Sequence, residues 1–201
     1  ILVLLSSGKL TDAYQQARAA ARSFLGRCRI VVLDSLSASW GLRLMVKAAA
    51  EAANQGRSLD EIVRLVRGLL PHVYLVFFVE RLDYLEHGGR IGPAQALLGT
   101  MLQIKPLLLV EDGEIVSMEK VRTRLQAVEK LVDFVAEFAR VQQVVILQSP
   151  VDNEINELVE ELKTQLGVAL PGKTFETLKY DPVLACHLGP EALGVVVYEG
   201  A

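Results

Sequence analysis

An α/β fold in two lobes is what this sequence predicts: a parallel sheet flanked by helices, followed by a smaller mixed or antiparallel α/β lobe. Strand-like and helix-like runs alternate through the first half, the order that builds a parallel sheet covered by helices. The run Val73 to Val79 is apolar on both faces, as a central strand between two helix layers should be. After Glu80 the pattern changes, because Ile104 to Val110 and Glu114 to Lys120 flank Asp112-Gly113 as an antiparallel hairpin does. The lobes are accordingly placed at 1–80 and 81–201, with room for the last strand to return to the first lobe.

Each element has its own signal. Ile1 to Leu5 is an apolar strand, and the helix after it sets Ala13, Ala17, Ala20 and Phe24 on one face before Gly26 stops it. Arg29 to Leu33 is the next strand. From about Ser39 to Asn54, Leu44, Met45, Ala48, Ala49 and Ala52 recur at helical spacing, ending at Gly56. Ser58 opens another helix, with Glu61 completing a capping box and Ile62, Leu65, Val66 and Leu69 as the buried stripe. A short apolar helix is expected between Gly92 and Ile104. Past the hairpin, a helix over about Arg122 to Arg140 carries Leu125, Val128, Val132, Val135 and Ala139 on one side. A strand at Gln143 to Leu147, a helix over about Asp152 to Leu166, and strands at Thr174 to Tyr180 and Leu193 to Tyr198 complete the chain.

Composition narrows the function classes. A hydrophobic content of 51% with 22% charged residues over 201 positions argues for a folded globular chain. The net charge of −3 and the scattered basic residues leave no electrostatic footprint for nucleic acid. No apolar run reaches the roughly 18 residues of a membrane span. Cys28 and Cys186 have no metal-ligand spacing and read as small core residues in a reducing cytoplasm. A chain that opens on a strand without Met is expected to lack an N-terminal part.

Four segments carry candidate chemistry. In Leu5 to Tyr14, a hydroxyl and glycine turn leads into a helix, so free amides with Ser6, Ser7 and Thr11 can meet an anion. On sequence alone the simpler reading, Thr11 capping its own helix, is favoured. Val3 stands where a P-loop needs glycine, which excludes Walker-type nucleotide binding. In His87 to Gly92, Gly88 and Gly89 permit positive φ and close ligand approach, and Arg90 offers a fork for carboxylate or phosphate. Paired glycines also end helices, and that reading is the stronger without further context. His187 lies between the strand-like VLAC and Gly189-Pro190, where an imidazole can meet a carboxylate. His72, His87 and His187 have no metal-binding spacing. Lys120, Arg122 and Arg124 oppose the dipole of the helix they open, which calls for solvent or an anionic partner.

Taken in order, SSGKLTDAY, DSLSASWG, LDYLEHGGRIG, IKPLL, EKVRTR and CHLGPEALGV resemble the DegV family, fatty-acid-binding proteins that include the FakB subunits of fatty acid kinase. The resemblance implies two α/β lobes with a long-chain acyl group between them. It implies that Thr11, Arg90 and His187, with Ser7 and Gly89 beside them, hold the carboxylate. It further implies a cytoplasmic, non-catalytic subunit without a cofactor, presenting the fatty acid to an ATP-dependent kinase that makes acyl phosphate, with Lys120, Arg122 and Arg124 as the partner face. Transient membrane contact is compatible with that role. Three departures stand out: no segment matches the family's upstream threonine motif, Asp12-Ala13 replace glycine and threonine, and Glu191 replaces a glycine. Two like charges about 4 Å apart repel by roughly 4 kcal/mol at an effective dielectric of about 20, so Asp12 is expected to point away from a bound carboxylate. The alternatives are an enzyme acting on a small carboxylate or phosphorylated compound, with His187 as acid or base, and a ligand-free partner-binding protein.

Overall fold

The computed structural model describes residues 1–97, 104–150 and 153–200. Two compact units divide the chain, one of Ile1–Val73 with Glu111–Glu114, the other of Tyr74–Val110 with Ile115–Ala201.

In the first unit, β1 (Leu2–Leu5) pairs in parallel with β2 (Val31–Asp34), Leu2 opposite Val31 and Leu5 opposite Asp34. Between them runs α1 (Ala13–Arg22), and after β2 come α2 (Ser39–Asn54) and α3 (Leu59–Leu69). The capping box is present: Ser58 Oγ accepts from the Glu61 amide, and the Glu61 carboxylate accepts from the Ser58 amide at 2.8 Å. Ile62, Val63, Val66 and Leu69 of α3 are buried, as are Met45, Ala49 and Ala52 of α2. By contrast α1 buries no residue and ends at Arg22, leaving Phe24 exposed. An open apolar hollow of about 320 Å³ is lined by Leu2, Leu4, Val46, Ala49, Ala50, Ala53 and Ile62.

The second unit is built on a six-stranded sheet in the order β5-β4-β3-β8-β6-β7. Here β3 is Val73–Phe78, β4 Lys105–Glu111, β5 Glu114–Val121, β6 Val141–Gln148, β7 Glu176–Lys179 and β8 Leu193–Glu199. Antiparallel β3/β4 and β6/β8 pairs and a parallel β6/β7 pair make it mixed. As the sequence predicts, β4 and β5 form a hairpin, with Asp112 (φ 49°) and Gly113 (φ 82°) both left-handed at its tip. Four helices belong to this unit among the described residues: α4 (Asp83–His87), α5 (Arg124–Ala136), α6 (Asn153–Ala169) and α7 (Pro182–Leu188). Its core joins Val76 and Phe78 of β3, Val128, Leu131 and Val135 of α5, Ile155 and Leu162 of α6, and Val195 and Val197 of β8.

Several expectations are corrected. The segment before His187 is helical, because Asp181 accepts from the Leu184 amide at 2.9 Å as N-cap and Pro182 occupies the first turn. Cys186 then falls on that helix's solvent side and Cys28 in the turn after α1, so both cysteines are exposed rather than core. In α5, Thr123 caps the helix by accepting from the Gln126 amide, and the buried face is Ala127, Val128, Leu131, Phe134 and Val135. Leu125, expected in the stripe, is 57% exposed. Of the short helix expected between Gly92 and Ile104, Gly92–Leu97 is a 3-10 segment and the remainder lies outside the described residues. So does the expected start of the next helix at Asp152.

Candidate functional site

In the first unit the polar groups gather at the carboxyl ends of β1 and β2, where open parallel sheets place their ligands. The Ser7 amide donates to the Ser37 carbonyl at 2.8 Å, and the Thr11 amide to the Ser7 carbonyl at 3.0 Å, which links both post-strand loops. Asp34 fixes them further, its carboxylate accepting from the Gly8 amide at 3.0 Å and the Leu36 amide at 2.8 Å. A Cβ on Gly8 would stand 2.8 Å from Tyr14 Cδ1, so the close turn needs glycine there. Ser7 is buried, and its hydroxyl donates to the Gly113 carbonyl at 2.7 Å and accepts from the Lys9 amide at 3.1 Å. It is therefore a buttress of the turn.

Thr11 behaves differently from the cap favoured on sequence alone. The helix begins two residues later, at Ala13 with Asp12 as N-cap, and Thr11 Oγ1 is buried without a hydrogen bond among the described residues. A buried hydroxyl without a partner costs about 1–3 kcal/mol, so a ligand acceptor would recover free energy there. Asp12, the residue whose charge would oppose an anion, is exposed.

In the second unit the glycine pair does end a helix. Gly89 (φ 65°) donates to the Glu86 carbonyl and Arg90 to the Leu85 carbonyl, both at 2.9 Å, the paired bonds of a Schellman motif after α4. The Gly89 amide is thus committed to the helix end. This turn brings Arg90 back onto itself, Nη1 donating to the Gly88 carbonyl. A Cβ on Gly88 would lie 2.5 Å from His187 Nδ1, so this glycine is what lets the imidazole of α7 pack against the turn. Gly88, not singled out for that role by the sequence, is the residue that joins the two motifs. Beyond His187, the chain turns at Gly189 (φ 83°), whose carbonyl accepts from Tyr180 Oη at 2.8 Å.

His187 Nδ1 is buried without a hydrogen bond among the described residues. Burial, and then the Arg90 charge, hold its imidazole below the ordinary histidine pKa. A guanidinium beside a half-buried neutral imidazole suits an anion, whose charge would satisfy both.

The basic cluster divides. Lys120 and Arg122 are exposed. Arg124 instead faces carboxylates that include Glu80 at 2.5 Å, Glu154 at 2.9 Å and Glu191 at 3.6 Å. Glu80 also accepts from Lys105. Burial opposes the Glu80 charge, but the hydrogen bonds and charges of Lys105 and Arg124 outweigh it and hold the carboxyl below its ordinary pKa. Glu191, one of the departures noted in the sequence, thus has a structural partner. Among the described residues no cluster of three or more His, Cys, Asp or Glu could hold a metal, and no helix is long and apolar enough to cross a membrane.

A parallel-sheet unit and a mixed-sheet unit, each flanked by helices, define an α/β protein. The chain belongs to the DegV family: the family model described as "Uncharacterised protein, DegV family" matches residues 1–200. A DegV domain-containing protein of Streptomyces coelicolor is 35% identical over 203 residues, covering 98% of this chain and 69% of that protein. A solved DegV family protein of Thermus thermophilus, described for its fatty acid binding, superposes with a TM-score of 0.85 at 32% identity, covering 99% of this chain and 70% of that one. The fatty acid kinase B3 protein of Streptococcus pneumoniae, solved loaded with linoleic acid, shares the fold with a TM-score of 0.83 at 20% identity, over 100% of this chain and 72% of that one.

Proposed function

We propose that this protein binds a long-chain fatty acid, with its carboxylate held by Thr11, Arg90 and His187, and presents it to a separate ATP-dependent kinase subunit that forms the acyl phosphate. The observation that carries the reading is that Thr11 Oγ1 and His187 Nδ1, in segments more than 170 positions apart, are both buried and unpartnered among the described residues. Arg90 supplies the positive charge beside His187. The fatty acid binding described for the Thermus thermophilus relative supports the ligand class. Ser7 and Gly89 act in this reading through backbone geometry, Ser7 by bracing the Thr11 turn and Gly89 by setting the corner from which Arg90 projects. The protein itself performs no bond making; the partner supplies ATP and the phosphoryl transfer.

Replacing Arg90 and His187 together by Ala tests the headgroup assignment. Lipid retention after gentle purification is expected to fall at least about tenfold, since a charge-assisted hydrogen bond contributes roughly 1.5–3 kcal/mol, while circular dichroism stays unchanged. A double variant that keeps its full lipid content would rule the assignment out. For the partner face, Lys120 and Arg122 are the exposed positions, joined by Arg124 through its placement of Glu80. Reversing both charges (Lys120→Glu, Arg122→Glu) is expected to slow acyl phosphate formation in a reconstituted kinase assay severalfold, more so at low salt, with lipid content unchanged. Equal turnover of variant and wild type would remove this face from the account.

A further inference from the structure

The start of α2 holds polar groups that the fatty-acid headgroup reading does not use. This helix is 16 residues long, its N-cap Ala38 has no capping side chain, and no acidic residue lies in its first turn. The Gly41 amide donates to the Ala38 carbonyl at 3.1 Å, so the Ser39 and Trp40 amides are those of the first turn without an intrahelical acceptor, and the positive end of the helix dipole has no counter-charge from its own turn. Ser37, immediately before it, is 4% exposed, and its Oγ makes no hydrogen bond among the described residues. Gly41 shows where that hydroxyl points: a Cβ built on this third residue of α2 would meet Ser37 Oγ before any other atom. The hydroxyl lies against the first helical turn. Trp40, the second residue of α2, is 9% exposed, and its indole Nε1 also lacks an acceptor among the described residues. The Arg43 guanidinium stacks 4.2 Å from the centre of the Trp40 ring and adds a positive charge to the same turn.

We propose that the first turn of α2, with Ser37 Oγ and Trp40 Nε1, is an oxyanion site that takes a phosphate group. The Ser39 and Trp40 amides, a buried hydroxyl and a buried indole N–H, all within the four residues Ser37–Trp40, are donors that an acceptor-rich group would satisfy. A phosphate group offers three such oxygens where a carboxylate offers two. The proposal stands apart from fatty-acid binding, because inorganic phosphate carries no acyl chain.

Trp40 is the only tryptophan of the chain, so its emission reports directly on the site. The full chain is titrated with inorganic phosphate, a long-chain alkylphosphonate and acetate at constant ionic strength, and calorimetry repeats the series on Ser37→Ala, Ser37→Thr and Trp40→Phe. A saturable emission change with a phosphate probe is expected, weakened about tenfold in Ser37→Ala and restored in Ser37→Thr. Saturation by inorganic phosphate identifies free phosphate as the source, and saturation by the alkylphosphonate alone a lipid phosphoryl group. Flat wild-type titrations overturn the proposal whether or not the variants fold. Binding of equal strength in Ser37→Ala, or by acetate as well as by phosphate, overturns it too. Should Ser37→Ala fail to fold, a Trp40→Phe chain that binds phosphate as tightly as wild type does the same.

Discussion

His187 ties the protonation chemistry of the protein to its proposed ligand. Its pKa lies below the ordinary value because burial and Arg90 disfavour the imidazolium, so the unfolded chain binds this proton more readily than the folded one. The neutral imidazole therefore contributes fully to stability above about pH 6.5, and that contribution is lost as the pH falls from there through the folded pKa. A carboxylate bound beside it would reverse the balance and raise its pKa. Nuclear magnetic resonance titration of the His187 ring is expected to show a low pKa in lipid-free protein and a higher one with oleate bound. Identical titration curves would count against contact between His187 and the headgroup. At this scale the sequence marked the donors but not their setting. Arg90 and His187 stand out by residue type, whereas the fit of Gly88 against His187 joins positions 99 apart and has no local signature. Thr11 resembles a cap because caps are common before helices; only the backbone shows α1 starting at Ala13 and leaving the hydroxyl unused.

Among the elements, Glu80 connects the end of β3 to β4 through Lys105 and to α5 through Arg124. Its side chain is 15% exposed and that of Arg124 20%, so solvent screens the pair only in part. Glu80→Gln leaves two cations facing a neutral amide and is expected to cost roughly 1–3 kcal/mol in urea unfolding. Because the folded pKa of Glu80 lies below its unfolded value, its contribution is present above about pH 4.3 and lost as the pH falls through the folded pKa. The wild type should therefore lose more stability than Glu80→Gln on acidification, and parallel losses would show that the network contributes little. The legibility of the elements follows how local their signals are. The Ser58–Glu61 capping box and the Asp112-Gly113 hairpin are set by adjacent residues and were readable. The helix of α7 was hidden by the strand-like run VLAC, although Asp181-Pro182 just before it is a helix start. In α5, apolar residues on two faces allow two stripes, and the one that is buried leaves Leu125 exposed.

For the molecule as a whole, the α/β class was readable because the alternation of strand and helix patterns extends over many residues and survives errors at single positions. Strand order was not, since β8 enters the sheet between β3 and β6 through pairings that no neighbouring residue announces. The motif order, spread from Ser6 to Val195, made the family legible where each motif alone was not. About 0.8 kcal/mol for each buried CH₂ gives a long acyl chain enough affinity to survive purification. Mass spectrometry of an organic extract from the gently purified protein is thus the most direct test of the function proposed here. One long-chain fatty acid per protein molecule is the predicted result, and an extract from folded protein that contains no fatty acid would contradict it.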